Sequence, residues 1–266
     1  MPYGQPGGPK LVGISLRNDS IYATYTFPAD VHYPDSYLND LRFDLRSDVS
    51  GTAGQGVAYL VDSSNEGRPG FIMLDLGTGE SWRRLNQDAS VLRGMNDVPS
   101  YQGQPFYLRE KGMPVQWQLE GLDGIGLSPD GERMYYSPLS TNFLYSVPTA
   151  NLRERDPLAE VHAHANVSNH GQRGGNANGF ESDSNGLIYQ IIPEQNAIYY
   201  FDPNDGLTHG FVRDPRMIWP DGASVGSDGY IYMNINQLPY QPDWNEVRTK
   251  PVPTHHVEAS WHDMRH

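Results

Sequence analysis

The sequence has no cysteine and no long apolar segment, and each absence excludes classes of protein. Without cysteine there is no disulfide framework, no thiolate zinc site and no thiol nucleophile. No stretch reaches the roughly 18 consecutive apolar residues that a membrane helix needs. The first ten residues, MPYGQPGGPK, also lack the apolar segment of a secretory signal, so we expect no signal peptide in this chain.

Charge is scarce and mostly of one sign. Charged residues make up 19% of the chain, and 19 basic against 32 acidic residues give a net charge of −13. No basic stripe is present, which argues against a nucleic-acid partner, and nothing indicates a membrane partner. A small-molecule ligand is the partner that we expect.

The 266 residues instead contain many turn formers and short apolar runs, with 28 glycines and 21 prolines. The runs at residues 56–62, 70–76 and 81–85 are bounded by Gly, Asp, Asn or Ser, which is typical of short β-strands. The best helix candidate, residues 150–161, is interrupted by Pro157. The pattern predicts an all-β protein.

A repeated unit refines this prediction. Asp-Gly or Asn-Gly, a strand, a Gly-containing turn and a second strand recur from Asp123, Asn178 and Asp221, with a looser copy at Asn39 and Asp40. Two further strands follow the complete copies, and the interval from Asn178 to Asp221 matches a propeller blade. We therefore predict a β-propeller of four-stranded blades. About four blades are expected, three of them complete (near 37–85, 122–161 and 177–213), with a half blade at each end.

Several motifs resemble one known family in order and spacing. They are GPKLVGI (8–14), SYLNDLRFD (36–44), AYLVDS (58–63), DGIGLSP (123–129), MYYSPLS (134–140), FLYSVPT (143–149), QNAI (195–198), WPD (219–221) and NQL (236–238). This set resembles the major royal jelly protein / yellow family, in its microbial or fungal form. The resemblance implies a longer, secreted, six-bladed propeller. We therefore expect a chain truncated at both ends, with an extracellular location, a partial propeller domain at 1–238 and an irregular polar tail at 239–266.

The repeat also predicts a polar site. Because first strands line the channel of a propeller, Asn39, Asp40, Asp123, Asn178 and Asp221 are expected to form a ring at one mouth. Carboxylate and amide oxygens are Ca²⁺ ligands, so Asp40, Asp123, Asn178 and Asp221 are possible metal ligands, although no cofactor is certain. Gluconolactonase-type propellers are a distant look-alike with a catalytic metal, but no glutamate counterpart is present here. Equally, these residues could be turn formers whose side chains cap nearby amides.

Other candidates lie near the repeat. Trp117 and Trp219 precede Asp123 and Asp221 and could wall an aromatic pocket over the channel, or be buried in the core. Asn236, in the last family-like motif, is a further ligand-binding candidate. Three histidines lie close in sequence, and no Cys or carboxylate is seen to complete a metal set with them, so a solvated loop is expected: His162, His164 and His170.

Three functions stay open. The first is a secreted-type propeller that binds a small molecule at the channel mouth, as some family members look like carriers of small amines. The second is a metal-assisted lactone hydrolase or isomerase of the gluconolactonase-like kind, with Asp123 or Asp221 as metal ligand or general base. The third is a non-enzymatic propeller for structure or protein interaction. The residues do not decide whether the chain is an enzyme.

Overall fold

The computed structural model describes residues 7–64, 67–95, 97–109, 112–117, 120–244 and 258–260. The chain opens with an antiparallel hairpin of β1 (Lys10–Ile14) and β2 (Ile21–Thr26). The first four-stranded antiparallel sheet follows, with strands β3 (Leu38–Asp44), β4 (Val57–Asp62), β5 (Gly70–Asp75) and β6 (Ser81–Arg84).

Two small hairpins come before the second sheet. They consist of β7 (Ser100–Tyr101) with β8 (Gln104–Pro105), and β9 (Tyr107–Leu108) with β10 (Gln116–Trp117). The second sheet contains β11 (Leu122–Leu127), β12 (Arg133–Pro138), β13 (Phe143–Pro148) and β14 (Ser168–Gln172). Helices α1 (Thr149–Arg153) and α2 (Ala159–Ala165) connect its last two strands.

The third sheet is formed by β15 (Phe180–Ser182), β16 (Ile188–Ile192), β17 (Ala197–Asp202) and β18 (Leu207–Arg213). Single 3₁₀ turns lie at Pro193–Gln195 and Leu238–Tyr240. The last sheet has β19 (Pro220–Val225), β20 (Tyr230–Ile235) and β21 (Glu258–Ser260). In the segment predicted to be an irregular tail, residues 258–260 thus pair with β20.

The sheets stack face to face, so that each inner sheet buries both of its surfaces. The side chain of Tyr136 packs towards the first sheet and that of its neighbour Tyr135 towards the third, since adjacent residues of a strand point to opposite faces. This arrangement explains why β4 and β5 read as continuous apolar runs and are buried at every position. The strands β3, β11, β15 and β19 contact one another in that order. The all-β prediction is confirmed, and the arrangement is that of propeller blades.

One prediction about the second sheet is corrected. Its fourth strand is β14, which lies beyond the expected end of this blade near residue 161 and includes His170, expected in a solvated loop; SNHGQ has no apolar alternation to identify it as a strand. The interruption of the helix candidate at Pro157 is confirmed, since α1 and α2 lie on either side of this proline, whose ring cannot continue a helix.

Candidate functional site

The predicted polar residues lie at irregularities of the innermost strands. The β3–β4 ladder shifts between Leu38 and Leu41, leaving Asn39 and Asp40 opposite one residue. The same kind of shift occurs in β11 at Asp123 and in β19 between Pro220 and Ala223. Each shift is a β-bulge, which frees side chains from the alternation of the strand and aims them out of the sheet. Three of the four inner strands therefore carry a bulge at the repeat position.

One cavity of about 250 Å³ lies where these strands meet. It is lined by polar residues from the first to the last sheet: Asn39, Asp40, Arg42, Asp123, Asn178, Asp221 and Asn234, together with Gly124, Gly179, Gly222 and Ala223. The structure thus brings together five of the eight predicted site residues. Three carboxylates and three amides around a small cavity make a site that can bind positive charge or several hydrogen-bond donors.

Asp123 is the most deeply buried carboxylate of the cavity, with 8% of its surface exposed. The Asn39 side-chain amide donates to its Oδ1. Burial raises the pKa of Asp123 well above its usual range, and the charges of Glu120, Asp221 and Asp40 add to this effect. A cation placed in the cavity would lower that pKa again, because it relieves both desolvation and repulsion.

Asp40 and Asp221 have similar but less extreme environments. Burial raises the pKa of Asp40, and the charge of Arg42 opposes this shift. The Arg42 Nη1 atom donates to Asp40 Oδ1 at 2.9 Å. Burial also raises the pKa of Asp221, although hydrogen bonds from Asn236 and Asn178 oppose the shift. The Asn236 Nδ2 atom donates to Asp221 Oδ2 at 3.0 Å. Asn236 therefore donates a hydrogen bond to a lining residue but does not itself line the cavity.

Sequence reasoning missed two polar lining residues, Asn234 and Arg42. The Arg42 Nη2 atom donates to the carbonyl oxygen of Phe180 on β15, so the Arg42 side chain crosses from the first sheet to the third. The strand period does not identify Arg42, because the bulge at Asn39 and Asp40 interrupts the alternation that would relate it to Asp40. Asp40 and Arg42 form an ion pair, whereas no lining residue is paired in this way with Asp123 or Asp221. The charge of Arg173, which lies outside the lining, opposes the rise in the pKa of Asp123.

The hypothesis that the repeat residues are turn formers that cap amides holds in part. Asp40 does accept from the backbone N–H groups of Leu41 (2.8 Å) and Ile125 (3.2 Å), but the glycines beside the polar residues do not form turns. Gly131, Gly186 and Gly229 in the second turns have positive φ, as predicted, with values of 72°, 90° and 85°. Gly124 and Gly179 beside the polar residues have no positive φ. A Cβ on Gly124 would lie 1.9 Å from the Asn178 carbonyl oxygen, and one on Gly179 would lie 2.4 Å from that of Asp221. These glycines allow neighbouring inner strands to approach closely, and they do not form turns.

The two tryptophans do not line this cavity. Trp219 is 1% exposed and stacks on Phe106 at 4.1 Å, beside Tyr101. Trp117 lies in β10, is 48% exposed and stacks on Tyr107 at 5.8 Å. The alternative of an aromatic wall is therefore wrong for both residues, whereas the alternative of a buried core position is confirmed for Trp219, which packs with Tyr101 and Phe106.

The carboxylates of the cavity do not form a ready-made metal site. In the described part of the chain, three ligand atoms of His, Cys, Asp or Glu lie within 4.8 Å of one another only at Glu154, Asp156 and His162. The carboxylate oxygens of Asp40, Asp123 and Asp221 therefore do not all lie within 4.8 Å of one another. Ca²⁺ requires its oxygen ligands at about 2.3–2.6 Å from one centre. The lining would have to contract around a bare ion.

Solved structures support the fold. A structure of a nidogen/laminin complex aligns with a TM-score of 0.55 and 13% identity, covering 85% of this chain and 66% of the matched chain. A luciferin-regenerating enzyme aligns with a TM-score of 0.55 and 11% identity over 94% and 70%. A gluconolactonase from Xanthomonas campestris reaches only 0.43 with 13% identity, over 79% and 58%. The chain thus covers 58–70% of the length of these matched chains. The identities of the first two structures are so low that they show the fold alone.

Among curated proteins none matches the sequence significantly. No helix in the described residues is long and apolar enough to cross a membrane. The sequence profile of the major royal jelly protein family matches residues 2–249, nearly the whole chain. This protein is a member of the major royal jelly protein family.

Proposed function

We propose that this chain binds a small, positively charged organic molecule in the cavity at the channel mouth, as an extracellular protein whose sheets belong to a six-bladed propeller. The observation that carries the proposal is the convergence of Asp40, Asp123 and Asp221 at three strand bulges around one cavity. Bulges recur beside binding sites because they redirect side chains. The family resemblance separately supports an amine as the ligand.

The charge balance favours a cation. Asp40 is paired with Arg42, so Asp123 and Asp221 contribute the net charge, and burial raises the pKa of both. A protonated amine would satisfy these carboxylates and restore their ordinary ionisation. The cavity of about 250 Å³ holds the liquid volume of about eight water molecules, which suits a small amine.

A matched pair of probes tests the proposal. Phenethylamine and 2-phenylethanol have nearly the same shape, but only the amine is charged at neutral pH. At a concentration of 100 times Kd, the amine should stabilise the protein by about 2.7 kcal/mol. The Tm of the protein should therefore rise by roughly 5–10 °C in the presence of the amine. The alcohol should have no effect, and Asp221→Asn should abolish the response.

The control variant is Asp130→Asn, which changes an exposed carboxylate in the turn after β11 and should keep the full response. Affinity should fall on acidification at a higher pH than an ordinary carboxyl would require, because the pKa values of Asp123 and Asp221 are raised. Equal responses to amine and alcohol, or a response that survives Asp221→Asn, would overturn the proposal.

The second candidate is a Ca²⁺ centre of the gluconolactonase-like kind. Three buried carboxylates in one cavity support it, whereas the spacing of their oxygens opposes it. The same thermal measurement with Ca²⁺ and with EDTA separates the two. A Tm that rises with Ca²⁺, falls with EDTA and ignores the amine would favour the metal, and a lactone hydrolysis assay would then follow.

A further inference from the structure

A second cluster of ligand groups lies at the corner between α1 and α2, on the connection between β13 and β14. Glu154 follows α1, Asp156 lies in the short loop, and His162 is in α2. His162 Nδ1 is 3.0 Å from Glu154 Oε2, and one ligand atom from each of the three residues lies within 4.8 Å of the other two. None of these residues lines the central cavity.

These spacings approach those of a coordination sphere. Zinc binds imidazole nitrogen at about 2.0–2.1 Å and carboxylate oxygen at about 2.0–2.2 Å, so neighbouring ligand atoms of a tetrahedral ion lie about 3.4 Å apart. The 3.0 Å between His162 Nδ1 and Glu154 Oε2 is a hydrogen-bond distance, somewhat shorter than this spacing, so the two groups would separate slightly around an ion. The side chains of Glu154 and His162 are 35% and 41% exposed, so small rotations can bring all three groups onto one ion.

The neighbouring arginines have other partners. The Arg155 guanidinium forms an ion pair with Glu80 and lies 3.6 Å from the centroid of the Trp82 ring. Arg153 donates to the Tyr59 hydroxyl and to the Ser50 carbonyl oxygen. Arg84 donates to the backbone oxygen of Glu154, which leaves that residue's carboxylate available to other groups. The charges closest in sequence thus do not occupy the three ligand groups.

We propose that Glu154, Asp156 and His162 bind a divalent transition-metal ion of the zinc class, with water at the fourth position. An imidazole with two carboxylates suits zinc, nickel or copper, while Ca²⁺ prefers an all-oxygen set. The histidines were expected to have no carboxylate partners, because the sequence does not reveal that the loop after α1 folds back onto α2. Bound metal would join α1 to α2.

The test is calorimetric titration of the full, untagged chain with Zn²⁺, with Co²⁺ absorption as a second readout. His162→Ala and Glu154→Gln should each weaken binding at one site at least tenfold and abolish the visible Co²⁺ band of a low-coordinate complex. The matched control is His209→Ala. His209 Nε2 lies 2.8 Å from Asp205 Oδ2 at an equally exposed site, where two ligands are present and no third is among the described residues.

The histidines after residue 245 remain in every variant, so their contribution is the same throughout. No Zn²⁺ binding in the wild-type chain would overturn the proposal. So would binding that is unchanged in His162→Ala, or binding that His209→Ala reduces equally. Because the three ligands lie outside the central cavity, this result is independent of the response to amine or Ca²⁺.

Discussion

Asp123 should reduce the stability of the protein at neutral pH, and replacing it should reveal this. Its folded-state pKa is raised by burial and by neighbouring carboxylates. A raised pKa means that the folded state holds its proton more tightly than the unfolded state does. The contribution of Asp123 is therefore most favourable below the unfolded pKa of about 3.9 and is lost as the pH rises through the folded pKa.

The magnitude follows from linkage. Each unit by which the folded pKa exceeds the unfolded value costs about 1.4 kcal/mol at pH values above both. We expect Asp123→Asn to raise the free energy of unfolding at pH 7 by at least about 1 kcal/mol, or Tm by roughly 2–4 °C. Asparagine keeps the shape of the side chain and an Oδ1 that can accept from Asn39. The gain should shrink to nothing as the pH approaches 4.

The assay is thermal unfolding of both proteins between pH 4 and pH 8 without ligand. Asp44→Asn is the control of opposite sign, because hydrogen bonds from Arg46 lower the pKa of Asp44. That substitution should destabilise the protein at neutral pH and have less effect in acid. If Asp123→Asn is destabilising at pH 7, or if its effect is the same at every pH, the electrostatic account of the cavity is refuted.

Two further predictions concern the scaffold of the site. Gly124→Ala should destabilise the protein by about 3 kcal/mol, because the new Cβ would overlap the Asn178 backbone and the Phe180 ring. Gly210→Ala should change the stability little, because the space around Gly210 is open. Denaturant unfolding of both variants checks this difference. Arg83→Ala should cost about 3–5 kcal/mol because it leaves the buried Asp62 without its ion-pair partner. Removing the exposed Arg216 of the Arg216–Asp214 pair should change the denaturation midpoint little, because solvent screens that pair. An unchanged midpoint for Arg83→Ala would contradict the first expectation.

The features of the fold that the sequence predicted are those set by local chemistry. Short apolar runs bounded by turn formers marked the strands, and Gly131, Gly186 and Gly229 marked turns that need positive φ. The repeat also placed polar residues at equivalent positions of successive sheets. These signals depend on residues close in sequence, so they can be read without the structure.

The features that it did not predict depend on distant contacts. The bulges at Asp123 and Asp221 are visible only in the pairing register, and Gly124 has its role because Asn178 lies beside it. Trp219 has a left-handed backbone with φ of 54° and stacks on Phe106, which lies between β8 and β9 and which no spacing argument places there. Arg42 matters because its side chain reaches a different sheet.

The contrast between two kinds of carboxylate supports a binding role for the cavity. Two other buried carboxylates pair with arginine, Asp62 with Arg83 and Asp44 with Arg46. Two more, Asp75 and Asp183, each accept several backbone N–H groups. Asp123 is instead held by the Asn39 amide and faces other carboxylates, an arrangement that costs stability. A purely structural position would be served better by a neutral or paired side chain. Unfavourable local chemistry of this kind, at strand bulges that share one cavity, is characteristic of a site that is completed by its ligand.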